Sequence, residues 1–358
     1  MLKSVKLSWL LPVAAIALPL PATVASAAPM ELRYSDIGPP RGPRAAALEW
    51  WAQELDKRSN GQIKIKFFWS QSLVKGKETL KAVGSGLAEM GTIIGIYTPA
   101  ELPVWNVANM PFFFSDAWVG MRTMWEARKV IPELNQETEK LGVKILFNNT
   151  TGPVQLLSTK VPMRTVADLK GKKIRTTGGW TQLFEGLGAV PVNIGFGELY
   201  AALDRGTIDA TINYTPFVKS YKHYEVASHL TEANMGQVLG YGCGINLAFW
   251  NKLPKDLQDI LAKTSDEYMD DYARKSIEDS DASKAELTAG IDGRKVAFHQ
   301  LSKDERAKWQ EAAKPFLDKW LADMKKRGHD GPAILAKIKS IQAKYRQELD
   351  EKGYPWKR

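Results

Sequence analysis

The sequence predicts an α/β fold of two lobes, with mostly parallel strand pairing in mixed sheets flanked by helices. Three observations predict it. Short strand-like runs alternate with amphipathic helical runs through the first two thirds of the chain, the pattern of layered α/β proteins. That alternation breaks off and restarts near Val143. At 358 residues the chain also exceeds the size at which a single core keeps growing.

The first 27 residues look like a processing signal. Lys3 and Lys6 precede an apolar stretch over 7–20, and Ala25, Ser26 and Ala27 fit a small-residue cleavage site. Pro12 and Pro19 interrupt the stretch, which is too short to span a bilayer comfortably. The expectation is export to the periplasm with cleavage near Ala27. Residues 31–36 then form a strand, and 37–43 a loop with three prolines and two glycines. Residues 46–61 have helical periodicity, closed by Asn60-Gly61. Residues 63–69 alternate as a strand does, 75–86 form a helix, and 88–97 a buried strand. After the restart come a strand at 143–150 and a further strand at 241–250. From Leu253-Pro254 onward helical sequence dominates, chiefly over 255–291 and 302–328, with the long polar faces of helices lying on an outer surface.

Composition narrows the function. Apolar content of 44% with 25% charged residues is ordinary for a globular protein. The single cysteine, Cys243, allows no internal disulfide and fits a small buried hydrophobe. Net charge is +9, or +7 once Lys3 and Lys6 leave with the signal. That excess can steer anions toward a cleft. The basic residues are scattered among acids with no aromatic interleaving, which argues against nucleic acid. His223 and His229 are six apart, not a helical metal-ligand spacing, and no acidic or cysteine cluster completes a metal site. His299 and His329 sit in charged, helical-looking surface sequence. No GxSxG, HExxH, P-loop or GxGxxG motif occurs. These absences point away from an enzyme, and no cofactor or metal is called for.

The most informative segment is 168–214. A strand-like run at 172–175 ends in Arg175, and a Gly-Gly turn and an amphipathic helix follow. A second run at 190–196, a helix at 197–206 and a third run at 207–214 complete it. An arginine leaving a strand into a cleft suits a carboxylate, because its planar fork makes two parallel charge-assisted hydrogen bonds.

The strings ADLKGKKIR, LGAVPVNIGFGELYAALDRGTIDATIN and FWNKLPKDLQDIL, in this order and spacing, resemble the substrate-binding subunits of tripartite ATP-independent periplasmic (TRAP) transporters, dicarboxylate-binding type. The similarity covers nearly the whole mature chain and includes RSNGQIKIKFF, KAVGSGLAEMG and NMPFFFSD. It implies a two-lobed binding protein with a hinged cleft, a long bracing helix and a helical C-terminus. Residues 28–151 and 240–278 would form lobe I, 152–239 and 279–312 lobe II, and 313–358 C-terminal helices packing on the lobes. The implied partners are a small organic acid and the small and large membrane permease subunits, with a sodium gradient and no ATP hydrolysis. A monomer is the default. A binding protein of an ABC-type importer and a ligand-presenting sensor remain alternative readings.

Residue by residue, the resemblance makes Arg175 the carboxylate clamp, Asn213 its helper and Phe196 a wall contact. Phe196 suits a core position equally, and Asn213 suits a turn start. Gln155, a candidate neutral hydrogen-bond donor to the ligand, stands where some relatives carry a second arginine, and Ile94 where sialic-acid binders use an acidic residue. Both departures favour apolar or aromatic monocarboxylates, or small keto or hydroxy acids, over sugar acids and dianions. Trp69, Tyr97, Trp180 and Tyr214 lie at or just after strand ends, where α/β clefts collect ligand contacts; each also suits plain packing.

Overall fold

The computed structural model describes residues 29–239 and 241–358, so the expected signal at 1–27 lies outside the described residues. In chain order the strands are β1 (Met30–Ser35), β2 (Ile63–Phe68), β3 (Met90–Ile94), β4 (Val143–Asn149), β5 (Gln155–Ser158), β6 (Lys173–Arg175), β7 (Val190–Val192), β8 (Ala210–Asn213), β9 (His229–Glu232), β10 (Tyr241–Asn246) and β11 (Ala297–Gln300). They form a five-stranded sheet, β2-β1-β3-β10-β4, and a six-stranded sheet, β11-β9-β5-β8-β6-β7. In the first sheet the parallel pairs β2-β1 and β1-β3 lie on one side of an antiparallel β10, and in the second sheet parallel pairs lie on both sides of an antiparallel β5, so both sheets are mixed. The chain passes from the first sheet to the second after β4 and returns before β10.

Each sheet has its own apolar core. Trp51, Phe147, Tyr268 and Met90 lie in the first; Trp180, Phe184, Ile212 and Trp309 lie in the second. All eight side chains are fully buried, and truncating one such tryptophan costs about 3–5 kcal/mol. The helix Gly42–Arg58 joins the first core through Leu48, Trp51 and Leu55, spaced three and four apart on one face. Asp116 accepts a hydrogen bond from the Val119 amide at 2.9 Å and starts the helix Ala117–Val130, which the sequence reading did not separate out.

Two helices tie the halves together. The 35-residue helix Lys255–Ala289 packs along Gly42–Arg58, β4 and Ala117–Val130, and also against Thr215–Ser220 beside the second sheet. Its Leu257, Leu261 and Tyr268 belong to the first core, and its Leu287 to the second. The helix Lys303–Lys326 places Trp309 and Ala313 in the second core and Trp320 and Met324 in the first. Pro315 falls between those two sets, where a missing amide loosens the helix. The final helix, Gly331–Lys352, packs on Ala117–Val130.

Several local expectations change. The run 190–196 is a strand only to Val192, after which Phe196–Glu198 is a 3₁₀ turn. The run 241–250 turns helical at Leu247. His299 lies on β11, half-buried and 3.1 Å from His229, rather than on a surface helix, because Ala297–Gln300 pairs with β9. Cys243 is fully buried and free. Among the described residues no helix is long and apolar enough to cross a membrane.

Candidate functional site

A cavity between the two sheets is built from both halves. Ile37 follows β1, Arg44 lies in the helix Gly42–Arg58, Thr92 and Ile94 lie on β3, and Ile96 and Tyr97 follow it. From the other side come Arg175 at the end of β6, then Thr177, Phe196, Tyr214 and Phe217. Thr151 and Val238, on the two connecting segments, complete the wall. Among the described residues only two charged side chains line it, Arg175 and Arg44.

Arg175 is 1% exposed. Its Nε donates to the Ile194 carbonyl at 3.0 Å, which fixes the guanidinium and leaves its two terminal nitrogens as a fork. The guanidinium lies 5.7 Å from the Phe196 ring, within cation–π range. Among the described residues no carboxylate forms an ion pair with it. A buried cation lacking a protein counter-ion is costly, so the position suits an anion supplied from outside.

Arg44 is balanced differently. It pairs with Asp36, and both side chains are buried. Asp36 Oδ1 also accepts from the Gly38 amide at 2.7 Å, and Oδ2 from the Thr92 hydroxyl at 2.7 Å. Thr92 in turn shares a 3.0 Å hydrogen bond with the Tyr34 hydroxyl.

Around Phe196 lie Tyr214, Phe217, Tyr221 and His223, with ring centroids 5.0–5.9 Å away. Burial, with the Arg175 charge adding to it, pushes the His223 imidazole down to about 3. Asn213 Oδ1 accepts from the Tyr214 amide at 2.8 Å, so its Nδ2 donates to His223 Nδ1 at 2.9 Å. His223 is therefore neutral, with its proton on Nε2. Burial also raises the Tyr214 hydroxyl, opposed by Arg175.

Of the eight residues singled out in the sequence, Arg175, Phe196, Tyr97 and Tyr214 meet at this cavity. The Tyr97 hydroxyl accepts from the Phe196 amide at 3.3 Å, joining the two walls. The other four lie elsewhere. Asn213 is fully buried against His223, off the cavity wall. Gln155 makes a reciprocal pair with Asn234, at 2.7 Å to its side chain and 2.9 Å from its amide, and borders a separate polar cavity. Trp180 is a core residue whose indole donates to the Met235 carbonyl. Trp69 stacks on Phe67 at 4.7 Å and lies 5.7 Å from the Arg44 guanidinium, one layer behind the wall. Sequence reasoning missed Asp36, Arg44, Thr92 and His223. The Gly-Pro step opening the Arg44 helix was visible; the pairing with Asp36 was not.

The family of bacterial extracellular solute-binding proteins, family 7, matches residues 34–323. The C4-dicarboxylate-binding periplasmic protein of Rhodobacter capsulatus is 31% identical over 311 residues, covering 86% of this chain and 91% of the relative. A TRAP solute-binding protein from Rhodoferax ferrireducens, solved with copurified benzoate, superposes with a TM-score of 0.81 at 22% identity, covering 89% of this chain and 99% of that one. Another from Bordetella bronchiseptica, solved with both mandelate enantiomers, gives 0.79 at 23% identity, over 88% and 100%. These are binding proteins rather than enzymes, and the chain described here belongs to family 7 of the bacterial extracellular solute-binding proteins.

Proposed function

We propose that this protein captures an organic acid monoanion in the cavity between its lobes and delivers it to the small and large membrane subunits of a TRAP-type, sodium-coupled permease. The observation that carries this reading is Arg175: a buried guanidinium, fixed by Ile194, facing aromatic walls and lacking a carboxylate among the described residues. A ligand carboxylate supplies the missing charge and takes the two free nitrogens. Asn213 acts indirectly, by fixing the His223 tautomer beside Arg175.

The remaining wall favours an apolar or aromatic body, or a small keto or hydroxy acid. Ile37, Ile94, Ile96, Val238, Phe196 and Phe217 supply the surface, and three threonines supply hydroxyls. Solved relatives hold benzoate, mandelate, orotic acid, pyroglutamic acid and hexuronates, so the family's ligands vary while the carboxylate recurs. Free space in the cavity is only about 40 Å³, a few times the roughly 10–15 Å³ needed to seat one water. An aromatic acid therefore enters when the lobes part and is enclosed when they close. We assign residues 28–151 and 240–278 to one lobe and 152–239 and 279–312 to the other, on the two sheets and the crossings between them.

A thermal-shift panel of benzoate, mandelate, pyroglutamate and short keto acids tests the proposal. A bound acid at 100 times its Kd raises stability by about 2.7 kcal/mol. Arg175→Ala is expected to weaken that acid by roughly 2–5 kcal/mol. Undiminished affinity in calorimetry on the folded variant overturns the assignment.

A further inference from the structure

We infer that Asp36 sets the charge of the ligand: by occupying the second guanidinium in the cavity wall, it makes the cleft select singly charged acids and reject dicarboxylates of similar size. The inference rests on Arg175 being the carboxylate partner. Two arginines line one small cavity, and a site with two uncompensated guanidiniums would suit a dianion. Here one of the two already has its anion inside the protein. Arg44 and Asp36 are side by side with almost no solvent access, at 4% and 0% exposure. Among the described residues nothing else charged lines the cavity, and His223 is neutral, so the net charge offered to a ligand is that of Arg175 alone.

The Asp36 carboxylate is also held in place. β1 and β3 run parallel with Ser35 opposite Gly91, which sets Asp36 beside Thr92. The Thr92 hydroxyl and the Gly38 amide each donate to one of its oxygens at 2.7 Å, while Arg44 takes Oδ1 as well. A carboxylate gripped from three directions does not swing away to make room. A second ligand carboxylate reaching Arg44 would meet Asp36 within ion-pair range, in a wall with little water to screen the repulsion. A neutral amide, hydroxyl or keto oxygen in the same place carries no such penalty.

The test uses matched pairs that differ by one charge: succinate against succinamate, and terephthalate against its monoamide, each titrated calorimetrically into the full mature chain. The wild-type protein is expected to prefer the monoamide of at least one pair by tenfold or more. Asp36→Asn keeps the shape and removes the charge, and is expected to move that ratio at least tenfold toward the dicarboxylate. Adding Arg44→Gln to Asp36→Asn removes the extra cation and should carry the ratio back toward wild type. A wild-type protein with no preference for either monoamide overturns the inference, and that measurement stands even where Asp36→Asn does not fold. So does a folded Asp36→Asn variant with an unchanged ratio. Arg175→Ala separates the two levels: lost binding there with an unmoved Asp36→Asn ratio defeats only the charge filter, whereas intact binding defeats the carboxylate site itself.

Discussion

His223 shows how one residue links the site to the stability of the whole protein. Its folded imidazole is held near 3 by burial and by Arg175, against about 6.5 when unfolded. A histidine with a depressed folded pKa takes up protons on unfolding, so stability is fully present above about 6.5 and falls as the pH drops toward 3. The slope is at most about 1.4 kcal/mol per pH unit from this one group. Replacing His223 by Gln, which retains an acceptor for Asn213, should flatten the fall in thermal stability between pH 6 and 4 relative to wild type. Superimposable acid profiles for the two proteins would show that the ring is not held neutral. Arg175 was legible in the sequence because it ends a short strand just before a glycine turn. His223 was not, because what makes it matter is a hydrogen bond from Asn213 and a guanidinium forty-eight residues away.

At the scale of elements, the turn after β6 carries a tight constraint on closure. Gly178 sits at φ 56° and ψ −134°, a combination that side chains disfavour. A Cβ there would lie 2.4 Å from Ile96 Cγ1, on the opposing wall of the cavity. Gly178→Ala should destabilise the protein by about 1–3 kcal/mol and weaken ligand binding together with it. Trimming Ile96 to Ala in that background is expected to recover binding but only part of the stability, since the backbone term stays. Equal recovery of both would mean that the steric contact, not the dihedral, dominates. The Gly-Gly step was visible in the sequence; its neighbour was not. The same holds for strands. β1, β2, β3 and β4 alternate or run apolar over enough residues to be recognised. β5, β9 and β11 have four residues each, too few to show a period, and exist because distant partners complete them. The 35-residue helix was legible throughout because its apolar stripe persists over many turns.

At the scale of the whole molecule, the contacts across the cavity describe the enclosed state. The Arg41 guanidinium donates to the Ser220 carbonyl, the Phe196 amide donates to Tyr97, and Gly178 meets Ile96. Such contacts shift a hinge equilibrium only so far as the ligand strengthens the form that makes them. Small-angle scattering of the wild-type protein should therefore show a smaller radius of gyration with a bound acid than without. The Arg175→Ala protein should show no change at the same acid concentration. A ligand-independent radius in wild type would remove the hinge from the mechanism. One further consequence follows from the order of the first sheet, in which β10 lies between β3 and β4. The strand that joins the early and late members is made only when the ribosome has passed residue 246. Until then the amino-terminal third has no neighbour to complete it, and long-range pairing of this kind is slow to form. The first sheet of such a chain therefore closes late, once its interior strand has been made.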